Sequence, residues 1–168
     1  MDLSGSWKYA QIISRSRLAN NKTVHHVSEF GDGIELLGAV GEIVARRYLG
    51  LPEKLHCGFD HGIDIFVYGM KIDVKTTVLT PKVEHRYLQW PTWKPVKADI
   101  ILLTAVDPVT KIGTVLGYAT RLEVQTAPIN NNRFVACHEI PIRDLHPAWE
   151  LIAEGLQICR HTQNREEL

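Results

Sequence analysis

Hydrophobic and polar side chains alternate through residues 62–77, on both sides of a short turn. A period of two residues is typical of half-buried strands, so this stretch predicts a β-hairpin. Gly69-Met70 suits a two-residue type II′ turn, which favours glycine at its first position. The apolar positions, which predict one buried face, are Ile63, Ile65, Val67, Ile72 and Val74.

The polar positions of the hairpin fall on its other face. The predicted turn sets Asp64 opposite Lys75 and Phe66 opposite Asp73, although aspartate and lysine are depleted in strands. Asp64 and Asp73 then become diagonal neighbours about 7–8 Å apart, and they repel each other unless a cation lies between them. Mg²⁺ needs only one or two carboxylates. The face is equally compatible with a solvated cross-strand ion pair, which is worth about 0.2–1 kcal/mol.

Helical periodicity precedes the hairpin. Residues 33–49 repeat small and apolar side chains at helical spacing, Asp32 suits the N-cap, and Gly50 ends the helix. Residues 3–19 predict a short helix that breaks at Asn20-Asn21. Its basic residues predict a solvated face: Lys8, Arg15, Arg17 and, just beyond, Lys22.

Strand patterns dominate the second half of the chain. Residues 98–105 form a continuous apolar run that predicts a central, buried strand. Further strands are predicted within 55–59, 111–124 and 134–142, and a helix within 147–157. The order of elements predicts an α/β fold with a mixed β-sheet flanked by helices. We expect one domain over residues 1–168, with an N-terminal extension at 1–30 and a tail at 160–168.

Composition narrows the class of protein. The 19 basic and 19 acidic residues give a net charge of zero, which argues against a strongly basic coat protein but still permits a local basic surface. Three widely spaced cysteines indicate reduced thiols in the cytoplasm. We expect no signal peptide, and no apolar run approaches the roughly 20 residues that a membrane span needs.

Glu42 lies on the apolar stripe of the helix at 33–49, between Gly38 and Ala45. A glutamate there is costly unless it is paired or binds a cation. One interpretation is an ion pair with Arg46, one helical turn later, worth about 0.2–0.5 kcal/mol. The other is a role at a metal site, with Glu35 as a peripheral ligand or a solvated carboxylate.

Residues 79–97 combine prolines, aromatic side chains and basic side chains. Long loops of this kind often contact ligands. Aromatic rings stack on bases and basic side chains neutralise phosphates, although the same residues could simply cover the sheet. The candidate substrate-binding residues are Lys82, Arg86, Trp90, Trp93, Lys94, Lys97 and, from the hairpin, Thr77.

The helix with Gly38, Gly41 and Glu42, followed by Gly62-Ile63-Asp64 and then by Asp73-Val74-Lys75, resembles the PD-(D/E)xK nuclease superfamily. The match covers residues 33–77, and residues 98–120 fit the strands that follow; Asp64 is preceded by glycine and isoleucine instead of proline. The resemblance implies a restriction-endonuclease-like core of the αβββαβ type. It also implies a nuclease that hydrolyses phosphodiester bonds by metal-activated water, with DNA as the expected substrate.

The resemblance also implies a role for each site residue. Asp64, Asp73 and the carbonyl of Val74 would hold Mg²⁺, or Mn²⁺ in its place, with Glu42 reaching the metal directly or through water. Lys75 would stabilise negative charge developing on the phosphate. Many members work as dimers, so a homodimer is implied as well. The absence of a targeting module suggests a phage, mobile-element or repair context.

Alternatives stay open at the sequence level. Asp60 replaces Asp64 as the first ligand if the strand begins earlier, because strand boundaries read from sequence err by about 2–4 residues. His56, Cys57 and His61 suggest zinc, but a second cluster at usable spacing is missing. A nuclease-fold protein that binds nucleic acid or a protein partner without cutting is the alternative function.

Overall fold

Two β-sheets and a layer of helices make up the part of the chain described by the structure, a computed structural model. It describes residues 1–20, 32–55, 62–79, 87–132, 135–153 and 155. The elements in chain order are α1 (Ser4–Asn20), α2 (Asp32–Tyr48), β1 (Ile65–Val67), β2 (Met70–Val78), β3 (Tyr87–Pro91), β4 (Ile100–Asp107), β5 (Ile112–Thr120), α3 (Arg121–Thr126), β6 (Ile129–Asn130), β7 (Cys137–Pro141) and a 3₁₀ turn (Ile142–Asp144).

The main sheet has the strand order β1-β2-β4-β5. β1 pairs with β2 and β5 pairs with β4 in antiparallel fashion, whereas β2 and β4 run parallel. The predicted mixed sheet flanked by helices is therefore confirmed. β4 lies in the interior of the sheet and its first seven residues are buried, as its apolar sequence predicted.

A second, three-stranded sheet has the order β3-β7-β6 and was not predicted. β3 lies inside the stretch 79–97, which was interpreted as a loop, and it pairs with β7 from Tyr87↔Pro141 to Pro91↔Cys137. The predicted strand at 134–142 is shorter, because β7 covers only Cys137–Pro141. Both strands end in proline, which cannot donate a ladder hydrogen bond and suits a strand end.

The second sheet, the main sheet and the helices α1 and α2 form three layers, and Val124 of α3 packs on the side of the second sheet. Ile100 and Leu102 join the core on the helical side of the main sheet, whereas Ile101 and Leu103 pack on the second sheet. This alternation follows from the two-residue period of a strand. β2 alternates in the same way: Thr76 faces α2, so Asp73, Lys75 and Thr77 lie on the opposite face.

The hairpin forms, but its turn lies one residue earlier than predicted. Tyr68 and Gly69 occupy the turn with φ values of 53° and 77°, as a type I′ turn requires, and Ile65 pairs with Ile72. The positive φ at Tyr68 is supported by tertiary packing, since its ring lies directly against Gly155. Phe66 therefore pairs with Lys71 and not with Asp73 as predicted, a shift of two residues in register that preserves the buried and polar faces.

Helix α2 matches its prediction closely. Gly50, with φ of 69°, donates to the carbonyl of Arg47, and Leu51 donates to the carbonyl of Arg46. These two bonds form a Schellman motif, which satisfies the last carbonyls of the helix. Helix α1 also forms over the predicted range and ends at Asn20.

Other boundaries differ from the sequence predictions. The stretch 111–124 divides into β5 and α3, and α3 is capped at Thr120 by a capping box with Glu123. Leu55 is not in a strand, and the rest of the predicted strand at 55–59 lies outside the described residues. Within the predicted helix at 147–157, residues 149–153 are helical, and the tail at 160–168 again lies outside the described residues.

Candidate active site

Asp73 is a buried carboxylate in the middle of β2. Only 1% of the residue is exposed. The Lys75 ammonium group forms an ion pair with its Oδ1 atom, and Nζ of Lys94 lies 3.9 Å from its Oδ2 atom. The sequence places Lys75 two residues along the same strand and thus on the same face. Lys94 belongs to the segment after β3. The fold thus brings Lys75 and Lys94, which are distant in sequence, close to the carboxylate of Asp73.

Asp64 is the residue just before β1, and it lies beside Asp73 of β2. Its backbone N–H donates to the carbonyl of Ile72 at 2.9 Å, and its Oδ2 atom accepts the N–H of Val74 at 2.6 Å. The side chain thus takes the place of a ladder bond on this edge of β2. Because N–H and C=O of one strand residue point to the same side, the Val74 carbonyl points to this edge too.

Arg46 fixes the backbone of Asp64 from the helical layer. Its Nη2 group donates to the carbonyl of Asp64 at 3.1 Å and its Nη1 group to the carbonyl of Pro52 at 3.5 Å. Sequence reasoning proposed Arg46 as a partner of Glu42 and missed this role. A hydrogen bond across 18 residues to a backbone carbonyl leaves no signal in the local pattern.

Trp90 supports both lysines. Its ring is 1% exposed and belongs to the core between the two sheets. Nζ of Lys75 lies 4.7 Å and Nζ of Lys94 4.8 Å from the ring centroid, within the range of a cation–π contact. Trp90 can therefore be both a core residue and a residue of the candidate site.

Hydrogen bonds hold the segment that carries Lys94. The indole N–H of Trp90 donates to the carbonyl of Lys94 at 2.6 Å, and the N–H of Lys94 donates to the carbonyl of Pro91 at 3.0 Å. Thr92 donates through its N–H and its hydroxyl to the carbonyl of Ala136, at 3.0 and 3.2 Å. The position of Lys94 is thus fixed relative to the second sheet.

The charges at this site act on one another. Burial lowers the pKa of Lys94 below its ordinary value, the neighbouring charge of Lys75 lowers it further, and the carboxylates of Asp73 and Asp64 partly offset both effects. Two carboxylates and two ammonium groups therefore share one small region. Their charges balance, which permits such a concentration of ionic groups beside a core.

Glu42 is buried, as its place on the apolar stripe predicted, but its partner is Arg17 of α1. The two guanidinium nitrogens lie 2.5 and 3.0 Å from the two carboxylate oxygens, and Nη1 also lies 3.6 Å from Glu35. The predicted pairing with Arg46 is wrong, and so is the solvated position predicted for Arg17, whose side chain is 11% exposed. The residues lie 25 positions apart, beyond the reach of helical spacing rules.

The described residues contain no group of three histidine, cysteine, aspartate or glutamate side chains placed to hold a metal together. The Asp64 side chain accepts the N–H of Val74, the neighbour of Asp73 in β2, whereas Glu42 is held by Arg17 in a two-pronged pair. Glu42 is thus committed to Arg17, and the convergence of three acids on one ion stays a prediction.

A groove of about 490 Å³ runs along β2 over residues 74–78. Its walls are the first turns of α2 on one side and β3 on the other. Lys75 and Thr77, both on the same face of β2, line the groove. Ile34, Tyr87 and Gln89 also line the groove.

The remaining predicted site residues have varied positions. Trp93 is 64% exposed and Lys97 is exposed, and both follow β3 in the segment that carries Lys94. Lys82 and Arg86 lie outside the described residues, as do Asp60 and the proposed zinc ligands His56, Cys57 and His61. Their predicted roles stay predictions.

Comparisons with protein-family models, curated proteins and solved structures give no match for this chain. The resemblance to the nuclease superfamily therefore rests on the residues themselves. Within the described part of the chain, none of the helices combines the length and the apolar character needed to cross a bilayer.

Proposed function

We propose that this protein is a metal-dependent nuclease with a restriction-endonuclease-like core and that it hydrolyses phosphodiester bonds in DNA. The observation that carries the proposal is the arrangement around Asp73: Asp64 meets the next residue of β2 on the side where β1 pairs, and Lys75 pairs with Asp73 from the same strand face. This is the relation between two acids and a lysine that the superfamily resemblance implies.

The chemistry of the two aspartates fits a divalent cation. Mg²⁺ prefers oxygen ligands, keeps several waters and binds through one or two carboxylates together with substrate phosphates. Asp64, Asp73 and the Val74 carbonyl would hold it, and Mn²⁺ would substitute. Glu42 does not fit as a direct ligand while Arg17 holds both of its oxygens. When bound, such an ion polarises a phosphoryl oxygen and lowers the pKa of a coordinated water.

The protein's own residues supply orientation and charge. Lys75 would stabilise negative charge on the scissile phosphate. Electrostatic stabilisation of this kind is usually the largest single contribution to catalysis of phosphoryl transfer. Arg46 holds the backbone of Asp64 in place. The groove along β2 would receive the adjoining nucleotide, with Tyr87 on its wall as a surface for base stacking.

A panel of DNA substrates tests the proposal. Purified protein with Mg²⁺ or Mn²⁺ is expected to cut at least one among plasmid, linear duplex, single-stranded and branched DNA. Asp73→Asn and Lys75→Ala should lose at least about a hundredfold in rate, as expected when a charged group at the transition state is removed. Asp144→Asn and Lys8→Ala, which change exposed residues, serve as controls. If both active-site variants cut as fast as wild type, or no substrate is cut, the nuclease proposal is wrong.

A second candidate function is supported by the Arg17–Glu42 pair. A nuclease-fold domain whose helical glutamate is committed to structure could bind nucleic acid or a protein partner without cutting it. Stable binding of DNA by wild-type protein, with no cleavage under any metal, would favour this function. The implied homodimer, cytoplasmic location and phage or mobile-element context remain predictions.

A further inference from the structure

Lys94 occupies a position that the hairpin motif does not account for. It follows β3, which belongs to the second sheet, yet its ammonium group lies over the same ring as that of Lys75 and near the same carboxylate. Two cations that share one aromatic face repel each other. Their proximity is tolerated because Asp73 lies against both.

We propose that Lys75 and Lys94 together bind one phosphate group of the substrate, with Trp90 as the floor of the site. This inference rests on the proposed function and deepens it, because it assigns a second phosphate-binding residue from outside the hairpin. A phosphate group presents several oxygens, so two ammonium groups that stand side by side can each donate to it. Hydrogen bonds hold the segment around Lys94 in place, so its ammonium group is already positioned as the second donor.

Competition for Asp73 gives the site a distinctive property. In the arrangement described, the two lysines compensate the carboxylate. With a divalent cation bound to Asp73, Lys75 and Lys94 would no longer pair with its carboxylate and would be available to bind phosphate. Phosphate would in turn draw the lysines away and leave the carboxylate to the cation. The two ligands should therefore strengthen each other's binding, and by linkage the effect must be reciprocal.

Calorimetry with thymidine 5′-monophosphate and with thymidine tests this site directly. Wild-type protein should bind the monophosphate more tightly with Mg²⁺ present than without it, and should bind thymidine more weakly than the monophosphate. Lys94→Ala should weaken binding of the monophosphate by about ten- to a hundredfold, the loss expected for one charge-assisted hydrogen bond. Lys94→Arg keeps the charge and should retain most of the affinity.

The affinity for the metal separates a binding role from a structural one. Lys94→Ala removes a competitor of the metal, so its affinity for Mg²⁺ should be equal to or higher than that of wild type. A variant that had merely lost its structure would bind both ligands poorly, and that result would overturn the proposal. Lys8→Ala, an exposed lysine of α1, should bind both ligands like wild type.

Three other results would also contradict the role of Lys94. They are binding of the monophosphate by Lys94→Ala with wild-type affinity, equal binding of thymidine and its monophosphate by wild type, and weaker binding of the monophosphate in the presence of Mg²⁺. The failure of the nuclease proposal looks different. Wild type would then bind metal and monophosphate as predicted and would still leave every DNA substrate intact.

Discussion

Asp73 stands at a position where a charge is normally excluded. It is 1% exposed and lies in a strand next to the core. Its two oxygens face two lysines, and Asp64 approaches it from the start of the hairpin. The sequence alone indicated the unusual placement of an aspartate, because the alternation of apolar residues assigned Asp73 to a strand. It did not indicate Lys94, since nothing in the local pattern relates residue 94 to residue 73.

Gly41 marks the closest approach of α2 to the main sheet. A Cβ atom at this position would lie 1.8 Å from Oγ1 and 2.9 Å from Cβ of Thr76, and 2.7 Å from Oγ1 of Thr104. The Cβ atom of Thr76 cannot rotate away, so a larger residue would push the helix off the sheet. The sequence placed Gly41 on the packing stripe but could not name its neighbours.

Gly41→Ala should therefore destabilise the protein by about 1–3 kcal/mol, the usual cost of overpacking. Gly38→Ala is the matched control in the same helix, because a Cβ atom there meets nothing within 4 Å. It should stabilise the protein by about 0.5–1 kcal/mol, since alanine favours a helix more than glycine does. Denaturant unfolding measures both changes. Equal effects of the two substitutions would contradict the predicted contact.

At the scale of elements, an ion pair joins α1 to α2. Arg17 and Glu42 are both largely buried, with side chains 11% and 6% exposed, and they meet through two hydrogen bonds. Arg17→Met removes the guanidinium group and leaves a buried carboxylate without these bonds. The free energy of unfolding should fall by about 3–5 kcal/mol, as for other broken buried pairs.

Replacing both partners should recover most of that loss. Arg17→Met combined with Glu42→Met removes the buried charge altogether, and paired apolar residues often match a buried ion pair in stability. Arg15→Met is the control, because Arg15 is an exposed arginine of the same helix. Unfolding in urea distinguishes the outcomes: a double variant as unstable as Arg17→Met would show that Glu42 does not depend on Arg17.

Element boundaries followed the sequence where local rules decide them. The end of α2 at Gly50 was predicted correctly, and the buried strand β4, predicted at 98–105, forms at Ile100–Asp107, because a helix-stopping glycine and a long apolar run act locally. Helix α3 was missed although Thr120 and Glu123 carry the spacing of a capping box, a signal present in the sequence. The turn at Tyr68-Gly69 was misplaced because packing of Tyr68 on Gly155 stabilises a conformation that tyrosine seldom adopts alone.

For the whole molecule, long-range pairing limited what the sequence could predict. The second sheet joins β3 to β7 across about 50 residues, and these two strands are short and end in proline. Such strands carry a weak period-2 pattern. That sheet supplies Trp90 and positions Lys94, so half of the candidate site arises from pairing that only the folded chain reveals.

The claim on which the proposed function depends most is that Asp64 and Asp73 hold a divalent cation. Isothermal titration of the wild-type protein with Mn²⁺, in the absence of nucleic acid, measures this directly. We predict saturable binding by wild type and by Asp144→Asn, whose substitution lies on an exposed residue, and loss of binding in Asp73→Asn and Asp64→Asn. Equal binding by wild type and Asp73→Asn, or no binding by wild type, would contradict the account.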